Sequence, residues 1–70
     1  MINIQFSNNL KRLMYESSLN QVKLSKEIGI AQSAISAWLL DKKEPSITSL
    51  WLLADYFQCS VDELIGRDKI

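Results

Sequence analysis

Apolar residues recur along this chain at helical spacing, and no stretch alternates apolar and polar as a half-buried strand would. Phe6, Leu10, Leu13 and Met14 fall at i, i+4, i+7 and i+8, one stripe of an amphipathic helix. Asn3 is a candidate N-cap for it, and the adjoining weak helix formers Ser17 and Ser18 predict its end. Asn20 opens a short second helix with Leu24 and Ile28 one turn apart, and Gly29 is the left-handed residue expected to close it. A third helix starts at about Gln32, with Ile35, Trp38 and Leu39 as its stripe. Asp41 to Pro45 reads as a charged loop, because proline stops a helix from running through it. Ser46 then caps a fourth helix whose inward residues are expected to be Ile47, Leu50, Leu53, Ala54 and Phe57. After the brief link Gln58-Cys59, Ser60 and Glu63 form an S-x-x-E capping box that opens a fifth helix through Leu64 and Ile65. Gly66 ends it. The pattern predicts an all-α fold of five helices in one domain over residues 1–66, with a polar tail at 67–70.

Composition narrows the ways such a fold is held together. Seventy residues make a thin core, and domains of this size commonly depend on disulfides, metals or association. Cys59 is the only cysteine and there is no histidine, so neither an internal disulfide nor a structural zinc site is expected. Close helix packing, or pairing with a second copy, remains. The hydrophobic fraction of 47% is that of a folded chain. Met1 to Leu10 lack the basic-then-apolar order of a leader, and apolar runs such as Leu50 to Ala54 are far too short to span a membrane. A cytoplasmic protein with a reduced thiol is expected. Net charge is zero, where a nucleic-acid binder would more often be basic. The charges are nevertheless unevenly placed. Through Pro45 the bases Lys11, Arg12, Lys23, Lys26, Lys42 and Lys43 outnumber the acids Glu16, Glu27, Asp41 and Glu44. From Ser46 on, Asp55, Asp62, Glu63 and Asp68 outnumber Arg67 and Lys69.

The segment Gln21 to Leu40 carries the functional signal. Two short helices joined by Gly29-Ile30-Ala31 make a helix-turn-helix. Gly29 supplies a positive φ that other residues adopt at a cost. Ser25 is small, so the two helices approach closely. Leu24, Ile28, Ile30, Ile35 and Trp38 face inward, which leaves Gln32, Ser33, Ser36 and Ala37 on the outer side of the third helix. That side is small, polar and uncharged, where an ordinary solvated face would carry Lys and Glu. Gln pairs a donor with an acceptor and suits adenine N6 and N7; Ser bonds several base edges; Ala meets a thymine methyl. Trp38 belongs to the buried stripe. Trp51 sits beside the inward face of the fourth helix, as either a half-buried core edge or part of a subunit contact. Cys59 reads as a small buried apolar residue.

These residues bring the chain to a resemblance. Leu19-Asn20-Gln21 through Leu24-Ser25, Gly29-Ile30, Ile35-Ser36-x-Trp38, Pro45-Ser46, Leu53-Ala54 and Ser60-Val61-Asp62-Glu63-Leu64, in this order and spacing, resemble the Cro and phage-repressor type of helix-turn-helix domain, the lambda-repressor-like family. The resemblance runs from about Asn9 to Gly66 and implies a compact five-helix bundle that binds duplex DNA as a dimer, with a palindromic operator. By its pattern Gln32, Ser33, Ser36 and Ala37 face base edges. Gln21 braces Gln32, Asn20 meets a phosphate, and Lys42 and Lys43 meet the DNA backbone. Three departures stand out. Met14 and Leu39 occupy positions where many members carry an Arg–Glu pair, an exchange that is often neutral for stability but removes a cation near the backbone. Ala31 stands where Ser or Thr often caps the recognition helix, a loss of about 1 kcal/mol. The neutral net charge predicts weaker non-specific attraction to DNA.

A transcriptional regulator, most simply a repressor, is the function expected, with control from its own concentration, dimerisation or a partner. A dimer would pair through the fourth and fifth helices, where Trp51, Val61 and Ile65 are apolar but not all needed inside. The alternative is a protein-interaction module on the same bundle, such as an antitoxin or an inhibitor of another regulator. No enzyme is expected: the chain has no histidine base, no nucleophile elbow and no glycine-rich phosphate loop. No cofactor and no metal are expected either.

Overall fold

The computed structural model describes residues 4–67. Five helices follow one another: α1 (Phe6–Glu16), α2 (Gln21–Ile28), α3 (Gln32–Leu39), α4 (Ile47–Phe57) and α5 (Val61–Ile65), with no strand among the described residues. Helix α1 packs on α3 and α5, α2 on α3 and α4, and α4 on α5. Each helix contributes one fully buried side chain to a shared centre: Leu10, Leu24, Ile35, Leu53 and Leu64. Phe6, Met14 and Trp38 surround them. The Phe6 and Trp38 rings meet edge to face, 5.9 Å between centroids, and join α1 to α3.

Helix starts follow the side-chain oxygens. Asn20 Oδ1, Ser46 Oγ and Ser60 Oγ each accept from the backbone N–H three residues on, at Lys23, Ser49 and Glu63. Helix α1 differs. Asn3 lies outside the described residues, and the N-cap position is Gln5, whose side chain does not cap the helix. Helix ends use an unexpected device. Ser18, Asp41 and Gln58 all adopt positive φ, between 55° and 58°, without being glycine. In each case the next N–H reaches back to close a Schellman turn: Leu19 to the Met14 carbonyl, Lys42 to Ala37 and Cys59 to Ala54.

The two glycines serve different needs. Gly29 has φ +72° and open space where a Cβ would sit, so only its conformation matters. Gly66 has φ +84°, and a Cβ there would lie 3.0 Å from Gln5 Cβ. The α5 terminus is held against α1. Asn9 Nδ2 donates to the Glu63 and Leu64 carbonyls at 3.0 and 3.1 Å, and Gln5 N–H donates to Ile65 O at 2.9 Å. These bonds satisfy carbonyls that a helix end leaves orphaned.

One core expectation is corrected. Ile47 was expected to face inward and is 87% exposed. At 3.6 residues per turn it lies about 120° around α4 from Leu53, and it is the first residue of the helix. Leu50, Ala54 and Phe57 do pack against the core.

Candidate nucleic-acid interface

The α2–α3 unit is built from short-range bonds over a buried floor. Asn20 fixes where α2 begins, and Gly29 turns the chain out of it. Ser25 does more than leave room, since its Oγ donates to the Ile30 carbonyl at 2.6 Å and pins the connection. Ala31 occupies the N-cap of α3 with no side-chain cap, as expected. Its carbonyl accepts from Ala34 and Ile35 N–H. Leu24, Ile35 and Trp38 are buried beneath. At the far end of α3, Ser7 Oγ on α1 donates to the Leu39 carbonyl at 2.9 Å. The helix is therefore fastened to the bundle at both ends.

What α3 leaves outward is neutral. Gln32 and Ser33 are exposed, and Ser36 and Ala37 are half-buried. Gln32 and Ser36 form one row four residues apart, Ser33 and Ala37 the next. No charged residue occurs anywhere in α3. Past the Schellman turn, Lys42 and Lys43 are exposed in the loop that follows. On the other flank, Asn20 and Gln21 line a shallow groove of about 360 Å³ together with Lys11, Met14, Tyr15, Leu19 and Leu39. Met14 and Leu39, the apolar pair that departs from the Arg–Glu pattern, thus meet in one groove. Lys11 and Tyr15, one turn apart on α1, were not singled out from the sequence. Their four-residue spacing was a signal, but only the fold brings them beside Asn20 and Gln21.

A family model described as helix-turn-helix matches residues 10–64. The chain belongs to this helix-turn-helix family. Among curated relatives, it is 27% identical over 67 residues to the HTH-type transcriptional activator BcrR of Enterococcus faecalis, covering 96% of this chain and 33% of that protein. It is 40% identical over 42 residues to the HTH-type transcriptional regulator AnsR of Bacillus subtilis (strain 168), covering 60% of this chain and 36% of that one. The crystal structure of a transcriptional regulator from Listeria innocua superposes with a TM-score of 0.85 at 32% identity, over 93% of this chain and 61% of that chain. The chain spans about a third of the length of the curated relatives it matches.

The residues expected at a dimer interface, Trp51, Val61 and Ile65, lie on α4 and α5. Trp51 on α4 is 67% exposed, so the core-edge reading of it is set aside. It lines a second open groove of about 520 Å³ with Ala54, Asp55, Gln58, Cys59, Ser60 and Glu63. Val61 and Ile65, one turn apart on α5, are half-buried and do not line that groove. Cys59 is half-buried rather than buried. Burial and the nearby Glu63 push its thiol above the usual range, against an opposing pull from Arg12, which favours the protonated form at neutral pH. Among the described residues no cluster of His, Cys, Asp and Glu could hold a metal ion, and no helix is long and apolar enough to cross a membrane.

Proposed function

We propose that this helix-turn-helix chain binds double-stranded DNA sequence-specifically, with α3 in the major groove, and thereby regulates transcription. The observation that carries this reading is the outward side of α3. It is a row of short, neutral, hydrogen-bonding side chains, rigidly held at both ends and flanked by lysines. Such a face fits between phosphate walls and reaches base edges. Gln32 at the first turn reads adenine, Gln21 braces it, and Ser33, Ser36 and Ala37 complete the base contacts. Asn20, Lys42 and Lys43 hold the backbone. The test is binding to duplexes selected by the protein against random duplexes. Gln32→Ala lowers affinity for the selected site by about 1–3 kcal/mol and leaves random binding unchanged. Lys42→Ala with Lys43→Ala lowers both and flattens the salt dependence by about 0.9 per lost phosphate contact. Equal losses on both duplexes from Gln32→Ala would remove it from base reading.

The working unit we propose is a two-fold dimer on a palindromic site. One recognition helix covers too few base pairs to pick a site in a genome. Two copies set about one DNA turn apart, the spacing that phage repressors of this type use, solve this. The surface must leave α3 free, which points to α4 and α5 and to Trp51, Val61 and Ile65. Sedimentation with a selected duplex is expected to show two copies per site, and Ile65→Asp to reduce this to one. Two copies unaffected by Ile65→Asp would place the interface elsewhere. Repression by occupancy is the simplest outcome. One relative is named an activator, so a promoter–reporter fusion is the measurement of sign, and increased expression would overturn repression. The exposed Ile47 and Trp51 favour a second reading, a protein-interaction module that docks another regulator or a toxin. Absence of any selected DNA site would turn the assignment to it.

A further inference from the structure

We propose that the groove between α4 and α5 is a docking site for a basic segment of another protein, one that sets an apolar side chain against Trp51 and a Lys or Arg beside Asp55 and Glu63. This deepens the protein-docking reading of Ile47 and Trp51 given above and names the chemistry of the partner. Ile47, Trp51 and Asp55 stand four residues apart on α4, so they share one side of the helix and run about 12 Å along it at 1.5 Å per residue. Ile47 is 87% exposed and Trp51 67%, and tryptophan is enriched among the anchors of protein interfaces. The carboxylates lie at the far end of this row. Asp55 and Glu63 are exposed and line the groove of about 520 Å³ beside Trp51, and no Lys or Arg lines it. Neither carboxylate is in an ion pair among the described residues. Arg12 acts on the Cys59 thiol from α1, but it does not line the groove and pairs with Glu16 at 3.5 Å. Two uncommitted negative charges beside an exposed indole attract a cation, both by their charge and by the face of the ring. The same charges disfavour the other two occupants. A phosphate backbone is repelled. A closed two-fold contact pairs a patch with itself, so a second copy would bring Asp55 and Glu63 toward their own mates with no groove cation to answer them. Val61 and Ile65 are apolar and lie outside this groove. Pairing of copies therefore falls to them, and Trp51 to the partner. No residue of α3 lines the groove, so a docked partner leaves the outer side of α3 free.

The test uses the full chain and a phage-displayed pool of random short peptides. The enriched peptides are expected to carry Lys or Arg next to aliphatic or aromatic residues, and no Asp or Glu. One of them is synthesised and titrated by fluorescence anisotropy. Trp51→Ala is expected to weaken its binding about thirtyfold, the loss that marks an interface anchor. Asp55→Lys with Glu63→Lys is expected to abolish binding of that peptide and to create binding of a version with Glu at its basic positions, a gain that misfolding does not produce. Sedimentation of Trp51→Ala with the selected duplex is expected to show as many copies per site as the parent. Enriched peptides that are acidic or uncharged and still need Trp51 would overturn this inference and leave protein docking standing. A pool with no enrichment, or binding indifferent to Trp51, would overturn both. A Trp51→Ala chain that binds the duplex as one copy where the parent binds as two would give this face to a second copy and overturn the inference as well.

Discussion

The two tryptophans divide the molecule. Trp38 on α3 is 4% exposed, and Trp51 on α4 is 67% exposed. Both helices need a large apolar residue on the bundle side, and both have a side turned away from it. Helix α3 puts its tryptophan beneath and shows Gln32 and Ser33 outward. Helix α4 is filled from beneath by Leu53 and Leu50, and shows Ile47, Trp51 and Asp55 outward at four-residue spacing. Neither outer side resembles the Lys/Glu-rich face of a merely solvated helix. One is stripped down to short neutral groups, which suits a narrow polyanionic groove. The other holds an exposed apolar pair beside acids, which suits a protein surface and repels a phosphate backbone. The same helical periodicity thus serves two unlike surfaces, and residue size and charge on the outer side distinguish them.

The buried tryptophan beneath α3 carries the greatest cost on removal. Trp38→Ala removes the ring that packs on Phe6 and is expected to cost about 3–5 kcal/mol, a large part of the stability of so small a domain. Urea unfolding measures it, and a cost under 1 kcal/mol would show that α3 is not seated on this ring. Next is Gly66→Ala, where the positive φ costs about 1–2 kcal/mol and the clash with Gln5 adds to it. Gly29→Ala carries the conformational cost alone, so its midpoint in the same titration is expected above that of Gly66→Ala. The reverse order would mean that α5 is not pressed against Gln5. Smallest is Trp51→Ala, expected within about 0.5 kcal/mol of the parent. Its fluorescence sharpens the contrast: the variant should lose the emission that acrylamide quenches and keep the shielded emission of Trp38. A stability loss like that of Trp38→Ala would return Trp51 to the core.

Most helix starts were legible because a side-chain oxygen marks each of them, at Asn20, Ser46 and Ser60. The ends were only half legible. Gly29 and Gly66 announce a left-handed residue, whereas Ser18, Asp41 and Gln58 adopt the same conformation with no compositional sign. Asn9 was passed over because its partners lie 54 and 55 positions away, and no local pattern encodes such a bond. Ile47 is exposed because it stands about 120° around α4 from Leu53, at the edge of the stripe, where periodicity alone assigns a residue to neither side. At the candidate site, the outward direction of Gln32 and Ser33 followed from the stripe of Ile35, Trp38 and Leu39. The part played by Ser25 was read as size when its hydroxyl also holds the turn. Lys11 and Tyr15 reach the groove of Gln21 only through the crossing of α1 over α3, which requires the fold.

The outer side of α3 can be tested by one substitution that leaves the bundle alone. Ser33 is exposed, so Ser33→Glu is expected to unfold at the parent's midpoint. In the groove its carboxylate would stand among phosphates and face base edges it was not matched to, a like-charge penalty of several kcal/mol. Binding of the selected duplex, measured by fluorescence anisotropy for the parent and for Ser33→Glu at one salt concentration, is expected to be lost in the variant. Full-strength binding by a folded Ser33→Glu chain would contradict the placement of α3 in the major groove.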